Sequence, residues 1–340
     1  MSHRTDIQNN LPKVAANGLI DRRVLLRNSA LLAGAAGAGL TGIARAAAEP
    51  LAVDPWSLNI GAAVPTYSTP SHYEAKVVRT LANPTNPGNN QARTPHHLLD
   101  GMITPNGVHF VVARTGAPDI DPAKHRLLIH GLVRQPLVFY QNGERIMPIN
   151  GYPLRLFVPG YEGNMNVKWL RRLKLVDAPI MAINESRQYT LLLESGKAWR
   201  FYYPMEVKSF ITRPSPTMQL KGPGFYEISG LAWSGHGRID KVEVSADGGK
   251  SWGMAAMQNP VLPKALTRFR MAWQWDGRPV VLQSRATDEG GNVQPTRQKL
   301  IAERGAPRNT PPVTGFPMGH VNAISSWGID AKGAVSHVYV

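Results

Sequence analysis

A short segment near the middle of the chain concentrates the residues that could bind an anion. Arg155 lies in a predicted strand, a Pro159-Gly160 turn follows, and Gly163, Asn164 and Lys168 come next. Backbone N–H groups in a glycine turn, together with guanidinium and ammonium groups, are the donors that a phosphate or a pterin requires. A Pro-Gly turn before a basic strand is more often an ordinary loop, so this pattern alone is a weak signal.

The sequence offers little for binding a metal ion. It contains no cysteine. Its ten histidines are scattered, except for the adjacent pair His96-His97. That pair lacks the i, i+4 spacing of a helical metal site. We therefore expect these two histidines to be solvent-exposed loop residues. The sequence also has no Ser-His-Asp elbow and no P-loop.

Composition predicts the elements that must position these residues. A chain of 340 residues, 43% of them hydrophobic, is long enough for two domains with substantial cores. Its 28 prolines and 32 glycines, with only 18% charged residues, favour many turns and short strands over long surface helices. The sequence therefore predicts a β-rich protein.

The carboxyl-terminal half shows the clearest periodicity. Phe269, Met271, Trp273 and Trp275 alternate with more polar residues at a period of two, so one face of this strand belongs to a core and the other meets solvent or a partner. We expect Trp233 and Trp252 to serve the same core and a dimer face. Glycine turns separate four predicted strands and indicate an immunoglobulin-like sandwich: Tyr226–Trp233, Ile239–Ser245, Arg268–Trp275 and Val280–Ala286.

The first half is less regular. Residues 49–105 are rich in Pro, Asn, Thr and Ser and read as an extended lead-in over the first domain. Strands are predicted at Val108–Val112 and Arg126–Val133. Residues 214–224 indicate a connection between domains, and the Pro- and Gly-rich tail from Gly305 to Gly319 indicates a loop.

The amino terminus resembles an export signal. Arg22-Arg23 precedes an uncharged Ala, Gly and Leu run over residues 28–44. Small-x-small patterns suited to processing follow over residues 44–48, so the processed chain should begin close to Ala47 or Glu49. A short membrane anchor is the alternative, but the run is short and weakly apolar for a spanning helix. The twin-arginine route exports folded proteins, often with a cofactor inserted, so we expect a periplasmic protein that lies free of the membrane after cleavage.

Charge indicates an anionic ligand or partner. The net charge is +15, and residues 1–46 contribute six Lys or Arg against two Asp or Glu, so about +11 remains in the processed chain. The basic residues are scattered and no nucleic-acid-binding motif is present, so nucleic acid is not the expected partner. An anionic substrate, an anionic cofactor or an acidic redox protein fits better. We expect Arg171-Arg172 to be a solvated strand end.

Long phrases of the sequence resemble the sulfite oxidase family of molybdopterin oxidoreductases, and most closely its sulfane dehydrogenase branch. They are GMITPNGVHF, DIDPAKHRLLIHGLVRQPLVF, YQNGERI, PGYEGNMNVKWLRRLKLV, EVKSFITRPS, GFYEISGLAWSGHGRIDKVEVSADGGKSW, ATDEGGNVQPTR and HVYV. The resemblance implies an α+β enzyme: a signal peptide over residues 1–48, a mixed α+β molybdopterin-binding domain over 49–213, and an immunoglobulin-like dimerisation domain over 214–340.

The resemblance also implies chemistry and partners. In such enzymes, sulfite or carrier-bound sulfane sulfur gives two electrons to the molybdenum of a molybdopterin, an oxo group passes to sulfur, and a c-type cytochrome subunit of a homodimeric complex takes the electrons. The positions that match the pterin-binding pattern are Arg155, Val167 and Lys168, with Asn164 in the same turn. Arg114 and Tyr189 are the candidate catalytic residues, and Asn150 stands where relatives often have a histidine.

One departure from the family pattern is large. The family carries a long segment with the molybdenum-binding cysteine between phrases like Pro136–Phe139 and Tyr140–Ile146, which are adjacent here. We interpret this as an internal deletion with its seam at Phe139/Tyr140, leaving an incomplete first domain and no metal ligand. A thiolate is the ligand that molybdenum requires, and thioether or imidazole replaces it poorly. Three hypotheses follow: a sulfur-oxidising molybdopterin enzyme with impaired turnover, a non-catalytic dimerising module, or an inactive deletion product.

Overall fold

The computed structural model describes residues 13–20, 75–85, 90–101, 103–113, 116–124, 128–130, 137–138, 140–141, 144–174, 176–178, 189, 191–192, 197–199, 204–304 and 321–340. Several predictions concern residues outside these ranges: the processing region up to residue 48, Arg114, Phe139 at the seam, and the tail from Gly305 to Gly319. Among the described residues, no helix is long and apolar enough to cross a membrane.

The described chain up to residue 199 is built from short strands and 3-10 turns. The turns are Ala16–Gly18, His96–Leu98, Pro148–Asn150 and Gly163–Met165. The strands are β1 (Lys13–Ala15), β2 (Leu19–Ile20), β3 (Thr80–Leu81), β4 (Asn90–Arg93), β5 (Val111–Ala113), β6 (Leu128–His130), β7 (Leu137–Val138), β8 (Tyr140–Gln141), β9 (Glu144–Arg145), β10 (Arg155–Leu156), β11 (Arg172–Lys174), β12 (Leu191–Leu192) and β13 (Ala198–Trp199).

The longer elements follow. They are β14 (Lys208–Arg213), β15 (Gly224–Trp233), β16 (Ile239–Ser245), β17 (Gly253–Met254), β18 (Ala256–Met257), β19 (Thr267–Trp275), β20 (Val280–Asp288), α1 (Arg297–Arg304), β21 (Ser326–Ile329) and β22 (Val335–Val338).

Two antiparallel sheets form the carboxyl-terminal sandwich. One sheet has the order β1-β2-β19-β15-β14, with β18 also pairing with β19, and the other has the order β17-β16-β20-β21-β22. Their inner faces share one core, which includes Phe269, Trp273 and Leu282, all fully buried. The α+β class with a β-sandwich is therefore confirmed. The strand β14 lies before the predicted boundary at residue 214 and pairs with β15 in this sandwich.

The four strands predicted in the sandwich are confirmed: Ile239–Ser245 has the predicted bounds, and the other three are longer by one or two residues at one end. The buried face of β19 is also as predicted, since Phe269, Met271, Trp273 and Trp275 are at most 2% exposed. The opposite face was only partly predicted, because Arg268 is buried too. Its Nη2 donates hydrogen bonds to the carbonyls of Leu99 (2.7 Å) and Gly101 (3.2 Å), so the lead-in covers it.

Two predictions in the first half need correction. The strand expected at Val108–Val112 begins only at Val111, because residues 106–108 form a turn in which the amide of Val108 bonds to the carbonyl of Pro105. His97 is exposed as predicted, but His96 is half-buried in a 3-10 turn and packs edge-on against Phe210 at 5.7 Å. Burial, followed by the charge of Arg268, lowers the pKa of His96.

The buried indole of Trp273 allows a test of the sandwich core. Replacing Trp273 with Ala leaves a large cavity between the sheets, and we expect a loss of about 3 to 5 kcal/mol in the free energy of unfolding. Phe225→Ala is the matched control, because Phe225 lies on the neighbouring strand β15 and is 47% exposed. Urea unfolding followed by circular dichroism measures both. Equal effects of the two substitutions would contradict the core assignment.

Candidate functional site

The anion-binding segment folds into a tight two-stranded arrangement. The amide of Leu156 donates to the carbonyl of Val167, and the amide of Leu170 donates to the carbonyl of Leu154, both at 2.9 Å. These bonds bring Arg155 and Lys168 onto neighbouring stretches of chain. β10, which carries Arg155, also pairs with β7, the strand that ends just before the predicted seam. The seam region therefore supports the site strand directly.

Asn166 holds the loop between these stretches in shape. It is 6% exposed, and its Oδ1 accepts the amide of Val158 (2.8 Å) while its Nδ2 donates to the carbonyls of Tyr161 (3.3 Å) and Glu162 (2.8 Å). The amides of Met165 and Asn166 bond to the carbonyls of Glu162 and Gly163. The glycine turn was expected to present its N–H groups to a ligand, and at these two positions that expectation is wrong.

A cavity of about 500 Å³ lies beside this loop and collects most of the predicted residues. Arg155, Asn164, Val167, Lys168 and Tyr189 all line it. Arg114 lies outside the described residues, so its position relative to the cavity stays a prediction. Gly163 and Asn150, which the sequence also singled out, line the cavity too. Further lining residues, which the sequence alone did not identify, are Phe110, Val111, Val112, Ile149, Glu162, Asn166 and Met205.

Lys168 is the most constrained cation of the cavity. Its Nζ donates to the carbonyl of Val112 (2.8 Å) and to that of Ile149 (3.2 Å), and it lies 4.5 Å from the ring centre of Trp169. Burial, followed by repulsion from Arg155, lowers the pKa of Lys168 to about 8. Gly151 has φ +117°, and a Cβ there would approach Lys168 to 3.1 Å, so glycine is required at this contact.

Not all hydrogen-bond donors of Arg155 have a partner. Its Nη1 donates to the carbonyl of Asn150 (3.0 Å), whereas its buried Nε has no hydrogen-bond partner. Burial lowers the pKa of Arg155, although a guanidinium remains charged at neutral pH. The side-chain oxygens of Asn150 and Asn164 are likewise buried without a partner. Unsatisfied buried polar atoms at a cavity wall call for a polar partner, which a ligand or water supplies.

The cavity is attached to the sandwich through two glycines. The amide of Met205 bonds to the carbonyl of Gly160 (2.7 Å), and the amide of Gly235 bonds to the carbonyl of Met205 (2.6 Å). A Cβ on Gly235 would lie 2.2 Å from the carbonyl oxygen of Gly160, and Gly160 itself has φ +83°. Only glycine permits this approach, and Met205 thereby becomes part of the cavity wall.

Two models of known protein families match parts of this chain. The model of the Mo-co oxidoreductase dimerisation domain matches residues 199–310, and that of the oxidoreductase molybdopterin binding domain matches residues 137–183. A chain in the crystal structure of the sulfane dehydrogenase SoxCD from Paracoccus pantotrophus is 32% identical, with a TM-score of 0.76 over 85% of this chain and 98% of that one.

This chain belongs to the sulfite oxidase family of molybdopterin oxidoreductases. The predicted resemblance to the SoxC type is thus confirmed, and the cofactor class of the family is molybdenum-molybdopterin. Two nitrate reductases of Hordeum vulgare are also similar: the NAD(P)H enzyme is 31% identical over 47% of this chain, and the NADH enzyme 32% over 48%. The chain spans about a fifth of the length of each (21%).

The residues of the site suit one part of the family's cofactor, the organic part, and not the other, the metal. Arg155, Lys168 and the unpartnered amide oxygens suit a phosphate and a polar ring. Nothing comparable exists for the metal: the chain contains no cysteine, and the described residues contain no group of three or more His, Asp or Glu that could bind a metal ion. The site fits the organic part of the cofactor and offers no thiolate to molybdenum.

The lowered pKa of Lys168 predicts a pH dependence of stability. Between about pH 8 and its ordinary value of 10.5, the unfolded chain binds more protons at this residue than the folded chain does, so this residue makes stability increase as pH rises. We expect the unfolding free energy of the parent minus that of Lys168→Met to rise by on the order of 1 kcal/mol over this range, since solvent screens the half-buried ammonium.

Urea unfolding at a series of pH values measures this difference. Lys124→Met is the control, because Lys124 is exposed, with its Nζ 3.5 Å from Asp121, and the substitution removes no buried ammonium. A difference that stays flat or falls between pH 8 and 10.5 would show that Lys168 is not desolvated as described.

Proposed function

We propose that this protein is a periplasmic member of the sulfite and sulfane dehydrogenase lineage that retains the phosphate-binding part of the molybdopterin site and turns over slowly or not at all. The observation that carries the proposal is the combination of the basic cavity at Arg155 and Lys168 with the complete absence of cysteine from the chain. Similarity to the sulfane dehydrogenase SoxCD over 98% of the matched chain supports sulfur compounds as the ancestral substrates.

The residues of this chain have definable roles toward the cofactor. The guanidinium of Arg155 and the ammonium of Lys168 would hold the phosphate, and Asn150 and Asn164 would use their free oxygens toward N–H donors of the pterin. When bound, the molybdenum cofactor supplies two-electron oxidation of sulfur. Arg114 and Tyr189 remain the candidate catalytic residues toward the substrate anion, and Tyr189 lies at the cavity wall.

Partner and compartment are part of the proposal. The twin-arginine pattern at Arg22-Arg23 supports export to the periplasm, where a c-type cytochrome subunit would be the electron acceptor and free sulfite or carrier-bound sulfane sulfur the electron donor. The net positive charge of the chain suits both an acidic redox partner and an anionic substrate. An intact site would require the thiolate that the chain lacks.

Cofactor content tests the proposal. We expect the full chain, expressed in a molybdenum-replete host, to carry pterin but far less than one molybdenum per chain, and to show no sulfite- or thiosulfate-dependent reduction of ferricyanide. Elemental analysis, fluorescence of the oxidised pterin and a steady-state assay provide the three measurements. Near-stoichiometric molybdenum with turnover would contradict the loss of the metal ligand and imply a substitute ligand.

A pair of arginine variants tests which residues bind the cofactor. Because Arg155 offers a charge-assisted hydrogen bond inside the cavity, Arg155→Leu should lower retained pterin at least about tenfold. Arg171→Leu is the matched control, since Arg171 is exposed and lies outside the cavity. Equal pterin content in the two variants, with both folded by circular dichroism, would exclude Arg155 from the site.

A second candidate function is a dimerising module without chemistry. It rests on a separate observation: the sandwich has two complete sheets, one continuous core and a match to a dimerisation domain over residues 199–310. A protein that sediments as a dimer yet contains neither pterin nor molybdenum would favour this function over the first.

A further inference from the structure

The edge of the sandwich is occupied by a segment from the far end of the chain. On one side, β19 pairs with β15 along its whole length. On the other side, β18 pairs with residues 269–270 only, and β2 pairs with residues 272–273. Residues 13–20 therefore complete an edge that would otherwise be half open, and an open edge is a template for binding another strand.

Side-chain contacts fix this segment in one register. The indole N–H of Trp273 donates to the carbonyl of Asn17 (2.7 Å), the Nδ2 of Asn17 donates to the carbonyl of Ala246 (2.6 Å), and the amide of Ala16 donates to the Oγ of Ser251 (2.9 Å). These bonds reach both sheets of the sandwich. A peptide lying on the surface by chance would not satisfy the buried indole.

Burial and close packing add specificity. Leu19 is fully buried within the sandwich core. Gly18 has φ +88°, and a Cβ at this position would lie 1.9 Å from the carbonyl oxygen of Gln274. Any side chain at Gly18 would thus separate the segment from β19. The segment has an anchor, a glycine contact and backbone pairing, which together are the features of a strand-addition ligand.

We propose that residues 13–20 are an intramolecular ligand of the dimerisation sandwich, bound as an edge strand of the folded sandwich in the unprocessed chain. The twin-arginine pair begins two residues after Ile20, so in the exported precursor the export motif is tethered to a folded domain. Removal of the leader takes the ligand away and leaves Ala272 and Trp273 with an unpaired edge. The docking does not depend on the proposed enzymatic activity.

The absence of cysteine provides a clean cross-linking test in the full chain. Ala16→Cys combined with Ser251→Cys should form an intramolecular disulfide on mild oxidation, identified as a linked tryptic peptide pair by mass spectrometry. Ala16→Cys combined with Lys332→Cys is the control, because Lys332 is an exposed residue of a different turn. Equal linkage in both pairs would overturn the proposal.

Mixing two single-cysteine chains tests the intramolecular origin. Linkage between an Ala16→Cys chain and a separate Ser251→Cys chain, as efficient as linkage within the double variant, would assign the segment to a neighbouring molecule and contradict an intramolecular ligand. We expect linkage between chains to be at least tenfold weaker than linkage within one chain.

Hydrogen exchange tests the glycine contact. Gly18→Ala should raise the exchange rate of those amides of residues 271–274 that face β2 at least tenfold, without altering the amides that face β15 or the strand β20, because it lifts the segment from its edge. Ala16→Ser is the matched control, since Ala16 is exposed. Unchanged protection in Gly18→Ala would mean that the edge is not held by this segment.

Discussion

The close approach of Gly160 to Gly235 is the contact on which the rest of the site depends. Through it, a run of backbone hydrogen bonds passes from the anion-binding loop to Met205 and on to the sandwich. Backbone atoms can come this near only where both residues lack a side chain. The well-packed sandwich thereby supports a first domain whose described strands are mostly two or three residues long.

Partly buried positive charge is the second feature of the site. Arg155 and Lys168 repel each other, and within the part of the chain that the structure describes their hydrogen bonds go to carbonyl groups. Desolvated cations are unfavourable unless an anion or several dipoles meet them. The Nε of Arg155 stays without a partner at the cavity wall, so an anionic ligand suits the site.

How far the sequence predicted the structure depended on the range of the interactions involved. The strand over Arg268–Trp275 was predictable because alternation is a local signal that survives in the fold. The glycine turns between the sandwich strands were predictable because glycine takes up positive φ readily, as Gly248 and Gly249 do. The burial of Arg268 was not, since it depends on carbonyls almost 170 residues earlier. The cavity likewise combines Val112, Lys168 and Met205, whose spacing carries no periodic signal. The pairing of residues 13–20 with β19 could not be predicted either, because it too joins residues that are far apart in the sequence.

The mouth of the cavity has a thermodynamic consequence. Phe110, Val112 and Val167 line the cavity and are each between 44% and 47% exposed. A ligand that fills the cavity would cover part of this apolar surface while its charged end meets Arg155 and Lys168. Dehydration of apolar surface lowers the heat capacity, so the enthalpy of association in this protein becomes more favourable as temperature rises, even where salt weakens the ionic contribution.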